Sequence, residues 1–117
     1  MYRAHNITRN TLVADKLDHV TSLWDRMKGL LGRDALYPQH GLWIDPCNSI
    51  HTFFMRFPID VVFVSREGKV VKTFENFSPF RISPWIRKAR SVLELPIGEL
   101  ERSNTQIGDY LTFETHR

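Results

Sequence analysis

The segment CNSIHTFFMRFPID, residues 47–60, gathers the side chains best equipped for chemistry: the chain's only cysteine, a histidine, an arginine and an aspartate among apolar neighbours. Cys47 as nucleophile, His51 as its base and Asp60 as the group orienting that base would fill the three roles of a cysteine hydrolase. Spacing works against this unless the intervening chain turns tightly, because in an extended segment the tips of Cys47 and His51 stand ~13 Å apart. A reactive thiolate also needs a positive neighbour or a helix N-terminus, and Pro46, Asn48 and Ser49 supply neither. The expected state of Cys47 is therefore a buried, inert thiol.

The same residues offer other uses. A metal would take Cys47, His51 and either Met55 or Asp60, a soft set suited to copper. The chain has no close cysteine or histidine pairs of the kind structural zinc uses, so neither a metal nor a cofactor is expected. Asp60 directly precedes the apolar run Val61–Val64, where an ionised carboxylate must accept hydrogen bonds or pair with a cation such as Arg56 or His51. This makes it a pin between a loop and the sheet, with ligand contact as the competing use. Arg56 has the fork to clamp a carboxylate or phosphate, or to satisfy Asp60.

A second segment, FSPFRISPWIRKAR (residues 77–90), carries Arg81, Arg87, Lys88 and Arg90 without an acid, interleaved with Phe77, Phe80 and Trp85 and stiffened by Pro79 and Pro84. From there to Arg117 the chain holds five acids against two arginines, so the net charge of +3 is unevenly spread. Rings beside cations suit single-stranded nucleic acid or an anionic membrane surface. Four charges are few for a nucleic-acid footprint, which disfavours that partner. The segment can instead overlie residues 47–60 and lend Trp85 and Arg87 to a small pocket for an anionic or polar ligand, with His51, Arg56 and Asp60 as the other contacts.

The elements that must position these residues are mostly strands. Gly41–Ile44, Ile50–Met55, Asp60–Val64, Lys69–Phe74, Ser91–Leu95 and Asp109–Phe113 are short runs rich in Val, Ile, Phe and Tyr, separated by Pro, Gly, Asn and Asp. Ser65-Arg66-Glu67-Gly68 joins two of them as a hairpin turn, and Gly98 and Gly108-Asp109 mark later tight turns. A strand or hairpin is expected from about Ile7, turning at Arg9-Asn10. Between His19 and Gly32 the apolar spacing becomes three and four, at Val20, Leu23, Trp24, Met27, Leu30 and Leu31, which predicts a helix over about 20–31. The expected fold is an α+β single domain over residues 1–117, a mainly antiparallel sheet curled toward a small β-barrel, with that helix packed across it.

The strings KGLLGRDAL, GLWIDPCNSIHTFFMRFPIDVVFV, REGKVV, SVLELPIGEL and IGDYLTF follow one another in an order that closely resembles the domain of unknown function 192 family, also called uncharacterised protein family 0127. The likeness runs from about Trp24 to Leu111. It implies a strand-rich α+β domain and no particular activity. Many members of that family have an N-terminal export signal or anchor, whereas here MYRAHNITRNTLVADKLD lacks the apolar run of a signal peptide. No later window approaches the about 18 apolar residues of a spanning helix. With one cysteine and hence no internal disulfide, a soluble cytoplasmic protein is expected, or an exported one if a signal precedes this segment. The functional expectation is a non-enzymatic binding or accessory module for a small molecule or protein.

Overall fold

The structure is a computed structural model that describes residues 1–21, 36–53 and 55–115. Its strands are β1 (Tyr2–Asn6), β2 (Thr11–Val20), β3 (His40–Ile44), β4 (Ile59–Val64), β5 (Val70–Phe77), β6 (Ser91–Leu95) and β7 (Leu111–Thr115), with a five-residue helix α1 (Glu99–Ser103). All seven strands join one sheet in the order β5-β4-β6-β3-β2-β1-β7. Every neighbouring pair is antiparallel except β2 and β3, which run parallel with Lys16 opposite His40 and Val20 opposite Ile44.

The two edge strands meet again at one end. Lys69 bridges Tyr110, the Val70 N–H donates to Asp109 O at 2.7 Å, and the Gly108 and Leu111 N–H groups donate to Val70 O and Gly68 O at 2.8 Å each. The sheet is thus curled into a half-barrel, as right-handed strand twist allows once enough strands accumulate. Gly68 sits at this seam with φ +90°, and a Cβ there would lie 2.6 Å from the Leu111 carbonyl oxygen. Only glycine meets both conditions, so the hairpin turn is also the closure point.

Strands β4 and β6 are mostly apolar, with Asp60, Ser91 and Glu94 as their polar members, and are buried along their whole length. Successive side chains leave a strand on opposite faces, so such a run must be covered on both. Val62, Val64, Leu93 and Leu95 point into the half-barrel with Val13, Leu17 and Leu111. Ile59, Val61, Phe63 and Val92 form a second core on the outer side, with Ile44, Ile50, Phe57 and Phe77.

Several expectations change. The first strand begins at Tyr2 rather than Ile7, which is exposed in the turn, while Asn10 takes the left-handed conformation expected of the Arg9-Asn10 turn. Ile50–Met55 does not form one of the sheet strands: among its described residues only His51 makes a bridge, to Ile82. Ile50 and Met55 cover the outer core instead of joining the ladder. Val20 closes β2, and the rest of the helix expected over 20–31 lies outside the described residues apart from Thr21. Helix α1 has no counterpart in the sequence reading because five residues are too few to show a period.

A buried polar cluster ties the first turn to the segment after α1. The Asn6 amide donates to Asp109 Oδ2 at 2.9 Å and Thr105 Oγ1 at 3.2 Å, Gln106 N–H donates to Asp109 Oδ2 at 2.9 Å, and Arg9 Nε lies 3.1 Å from the same oxygen. Burial alone would push the Asp109 carboxyl up, but the hydrogen bonds from Asn6, Arg9 and Gln106 and the Arg9 charge outweigh it and hold it below the ordinary 3.8.

Two outcomes follow for stability. Gly98 has φ +94° with open space around its missing Cβ, so Gly98→Ala costs about 1–2 kcal/mol from the backbone alone. Gly68→Ala adds a backbone clash and lowers the urea midpoint further than Gly98→Ala does. Because the folded state lowers the Asp109 pKa, its stabilisation is complete above pH 3.8 and is lost as pH falls through the depressed folded value. Asp109→Asn is therefore less stable at neutral pH, and denaturation curves show its gap to the wild type narrowing in acid.

Candidate functional site

The chain leaves β3 through the cis Asp45-Pro46 bond and crosses the outer face as the segment 47–58. After β5, residues 78–90 run back beside it in the opposite sense. Five backbone hydrogen bonds lock the two together: Phe80 N to Thr52 O (2.9 Å), Thr52 N to Arg81 O, Ser83 N to Ile50 O, Ile86 N to Asn48 O and Cys47 N to Arg90 O (2.8 Å each). Two buried hydroxyls reinforce the pairing. Thr52 Oγ1 donates to Ser78 O at 2.7 Å and accepts from the Arg81 N–H at 2.9 Å, and Ser83 Oγ accepts from the Ile50 N–H at 2.9 Å. With its backbone groups satisfied in this way, the loop pair can lie flat on an apolar core.

Its inward side chains belong to that core: Ile50, Met55 and Phe57, with Cys47, Ile86 and Ala89 partly buried against it. Its outward side carries a different set. His51 opposes Ile82 and stacks on Phe53 with ring centroids 5.0 Å apart. Phe80, Ile82 and Trp85 are 67%, 63% and 69% exposed. Arg81, Arg87 and Lys88 are exposed along the same loop, and Arg81 lies over the Phe77 ring at 5.8 Å. Arg90 is held by Asp45, Nε to Oδ1 at 2.9 Å.

The loop pair thus carries His51, Arg56, Trp85 and Arg87, but Asp60 is elsewhere. Asp60 is 2% exposed, and its carboxylate accepts from three backbone N–H groups: Asn76 at 2.9 Å, Gly98 at 3.1 Å and Leu100 at 3.0 Å. It ties β4 to the irregular pairing with β5 and to the start of α1. Its carboxylate is thus committed to backbone donors. The Cys47 thiol donates to the Ser49 carbonyl at 3.0 Å, beside a shallow cleft of about 410 Å³ lined by Pro46, Asn48, Ala89 and Arg90. Among the described residues no group of three or more His, Cys, Asp or Glu side chains is placed to hold a metal ion. Of the other large aromatic residues, Phe63 is in the outer core, Trp43 stacks on Phe113 at 4.2 Å, Phe53 is at the surface, and Trp24 and Phe54 lie outside the described residues.

Ile82, exposed and opposite His51, is the residue sequence reasoning passed over. The available signal was an isoleucine between two prolines, in a stretch without the alternation that would place it in a strand.

Residues 5–113 match the profile of the DUF192 family, described as "Uncharacterized ACR". The chain belongs to the DUF192 family. A UPF0127 protein of Thermococcus sibiricus is 35% identical over 66 residues, which is 56% of this chain and 42% of that protein, so the match spans less than half of the relative's length. Two crystal structures share the fold. One, from Sinorhizobium meliloti 1021, is described as a proposed transcription regulator and superposes with TM-score 0.78 at 24% identity, covering 96% of this chain and 91% of that one. The other, a protein of unknown function from Novosphingobium aromaticivorans, gives TM-score 0.78 at 19% identity, covering 95% and 82%. At such identities the likeness is one of fold. Among the described residues of this DUF192 chain, no helix is long and apolar enough to cross a membrane.

Removing the Asp60 carboxylate leaves three buried or half-buried N–H groups without an acceptor. Asp60→Ala is expected to lose about 3–5 kcal/mol of stability in urea denaturation, and Asp60→Asn, which keeps one oxygen, less.

Proposed function

We propose that this DUF192 domain is a non-enzymatic binding module whose contact face is the outward side of the paired loops 47–58 and 78–90. The observation that carries the reading is the exposure of Phe80, Ile82 and Trp85 on a platform whose backbone is locked by hydrogen bonds and whose flank is basic. Large apolar side chains grouped on a rigid surface mark contact sites, and ordering them in advance lowers the entropic cost of binding. The ligand presents an anionic group next to an apolar one. His51 and Arg56 on one loop and Arg87 on the other supply the polar contacts, and Trp85 supplies the ring. Asp60 serves this face from beneath by fixing the chain just before Phe77, where the second loop begins.

Phenyl phosphate, which joins a ring to a dianion, tests the reading against inorganic phosphate. In amide NMR titrations it should shift residues 50–53 and 79–88 and bind about tenfold tighter than inorganic phosphate, the gain expected for removing one ring face from water. Shifts confined instead to residues 65–71, 88 and 107, which border the shallow groove of about 530 Å³, with residues 50–53 and 80–87 unmoved, would remove the paired loops from the reading.

A further inference from the structure

We propose that the partner of this face is an anionic lipid bilayer surface, an inference that rests on the binding-module reading and names its target. Four observations favour lipid. First, the exposed apolar side chains are a phenylalanine, an isoleucine and a tryptophan within six positions of one loop. Stacking on nucleobases requires rings, and Ile82 has none; the boundary between headgroups and acyl chains accepts aliphatic and aromatic groups alike, with tryptophan favoured.

Second, Phe80 has φ +60°, a conformation that costs a bulky residue energy, and its ring gains no burial in return. Its N–H bond to Thr52 O holds the backbone there, and the result is a ring displayed to solvent at the tip of the loop. Such strain persists where function needs the displayed geometry.

Third, no acidic residue occurs between Glu75 and Glu94, whereas Arg81 and Arg87 are exposed, Lys88 is exposed where the loop borders the groove that Glu67 also lines, and Arg90 is already neutralised by Asp45. The charge complements phosphate headgroups arrayed in a plane, and it is too small for an extended nucleic-acid track. Fourth, Phe80, Ile82 and Trp85 line neither the cleft at Cys47 nor the groove at Lys69. Displayed on a loop surface, they suit insertion into a surface better than enclosure of a small molecule. In the bound state the three apolar groups enter the interfacial layer while Arg81, Arg87 and Lys88 meet lipid phosphates, a shallow peripheral attachment with no spanning segment.

Co-sedimentation with phosphatidylcholine vesicles, with and without phosphatidylglycerol, tests the proposal, with glycerol 1-phosphate and oligothymidylate as soluble comparators. The domain should bind the phosphatidylglycerol vesicles, release from them as salt rises, and leave pure phosphatidylcholine unbound. Trp85→Ala and Ile82→Ser should each weaken vesicle binding by about tenfold or more, and Arg87→Glu with Lys88→Glu should abolish it, all with an unchanged melting temperature because these side chains are exposed. Vesicle binding that survives all of these substitutions would overturn the assignment to this face. Binding to glycerol 1-phosphate or oligothymidylate without vesicle binding would overturn the bilayer while leaving the paired loops as a binding face. If vesicles, both comparators and phenyl phosphate all leave the loop amides unshifted, this inference and the binding-module reading fall together.

Discussion

Strands β4 and β6 cannot tolerate water on either face, and the remaining architecture answers that constraint. Val62, Val64, Leu93 and Leu95 require an interior, which the sheet provides by curling until β5 and β7 touch at Lys69 and Tyr110. Ile59, Val61, Phe63 and Val92 require a cover on the other side, and the described cover is two loops rather than a second sheet. Segments that by composition look like connectors therefore act as a layer of the core. Irregular backbone can fill that position only if its N–H and C=O groups are satisfied locally, which is the work of Thr52, Ser83 and the bonds between the loops.

A carboxylate controls where the second of those loops begins. Asp60 gathers N–H groups from the end of β5 and from Gly98 and Leu100 at the start of α1, two pieces that are remote along the chain. An ionised group with several acceptor sites is well matched to three donors converging on a short strand end, and full hydrogen bonding is what makes its burial tolerable. Asp60 is thus the pin between a loop and the sheet that its place before the apolar run Val61–Val64 suggested. Asp109 does comparable work at the closed end of the half-barrel, where Asn6, Arg9 and Gln106 converge on it.

The outward face of the loop pair then has unusual freedom. Its inward residues are constrained by packing and its backbone by hydrogen bonds, so the outward positions can carry large apolar and basic groups without endangering the fold. On the inward side the Cys47 thiol donates to the Ser49 carbonyl and the Asp60 carboxylate accepts from backbone donors, so both groups help hold the loops and the sheet.

Much of the fold was legible in the amino-acid order. Ser91–Leu95 and the hairpin around Gly68 rest on local rules, since short apolar-rich runs, β-branched residues and turn glycines act through their immediate neighbours. The family likeness rests on the same kind of order. What spacing could not reveal is which side of the outer core Ile50–Met55 would join, or that Ile82 would face His51 across a loop pair. Nor could it reveal the partners of Asp60, which lie 16, 38 and 40 residues away. The sequence by itself determined the strands from β3 to β7, the turns between them and the presence of reactive side chains in two segments, because those depend on short-range sterics and composition. Only the tertiary structure decided which of those side chains are spent on holding the fold and which are left facing solvent, because that depends on hydrogen bonds and packing between parts of the chain that no local pattern connects.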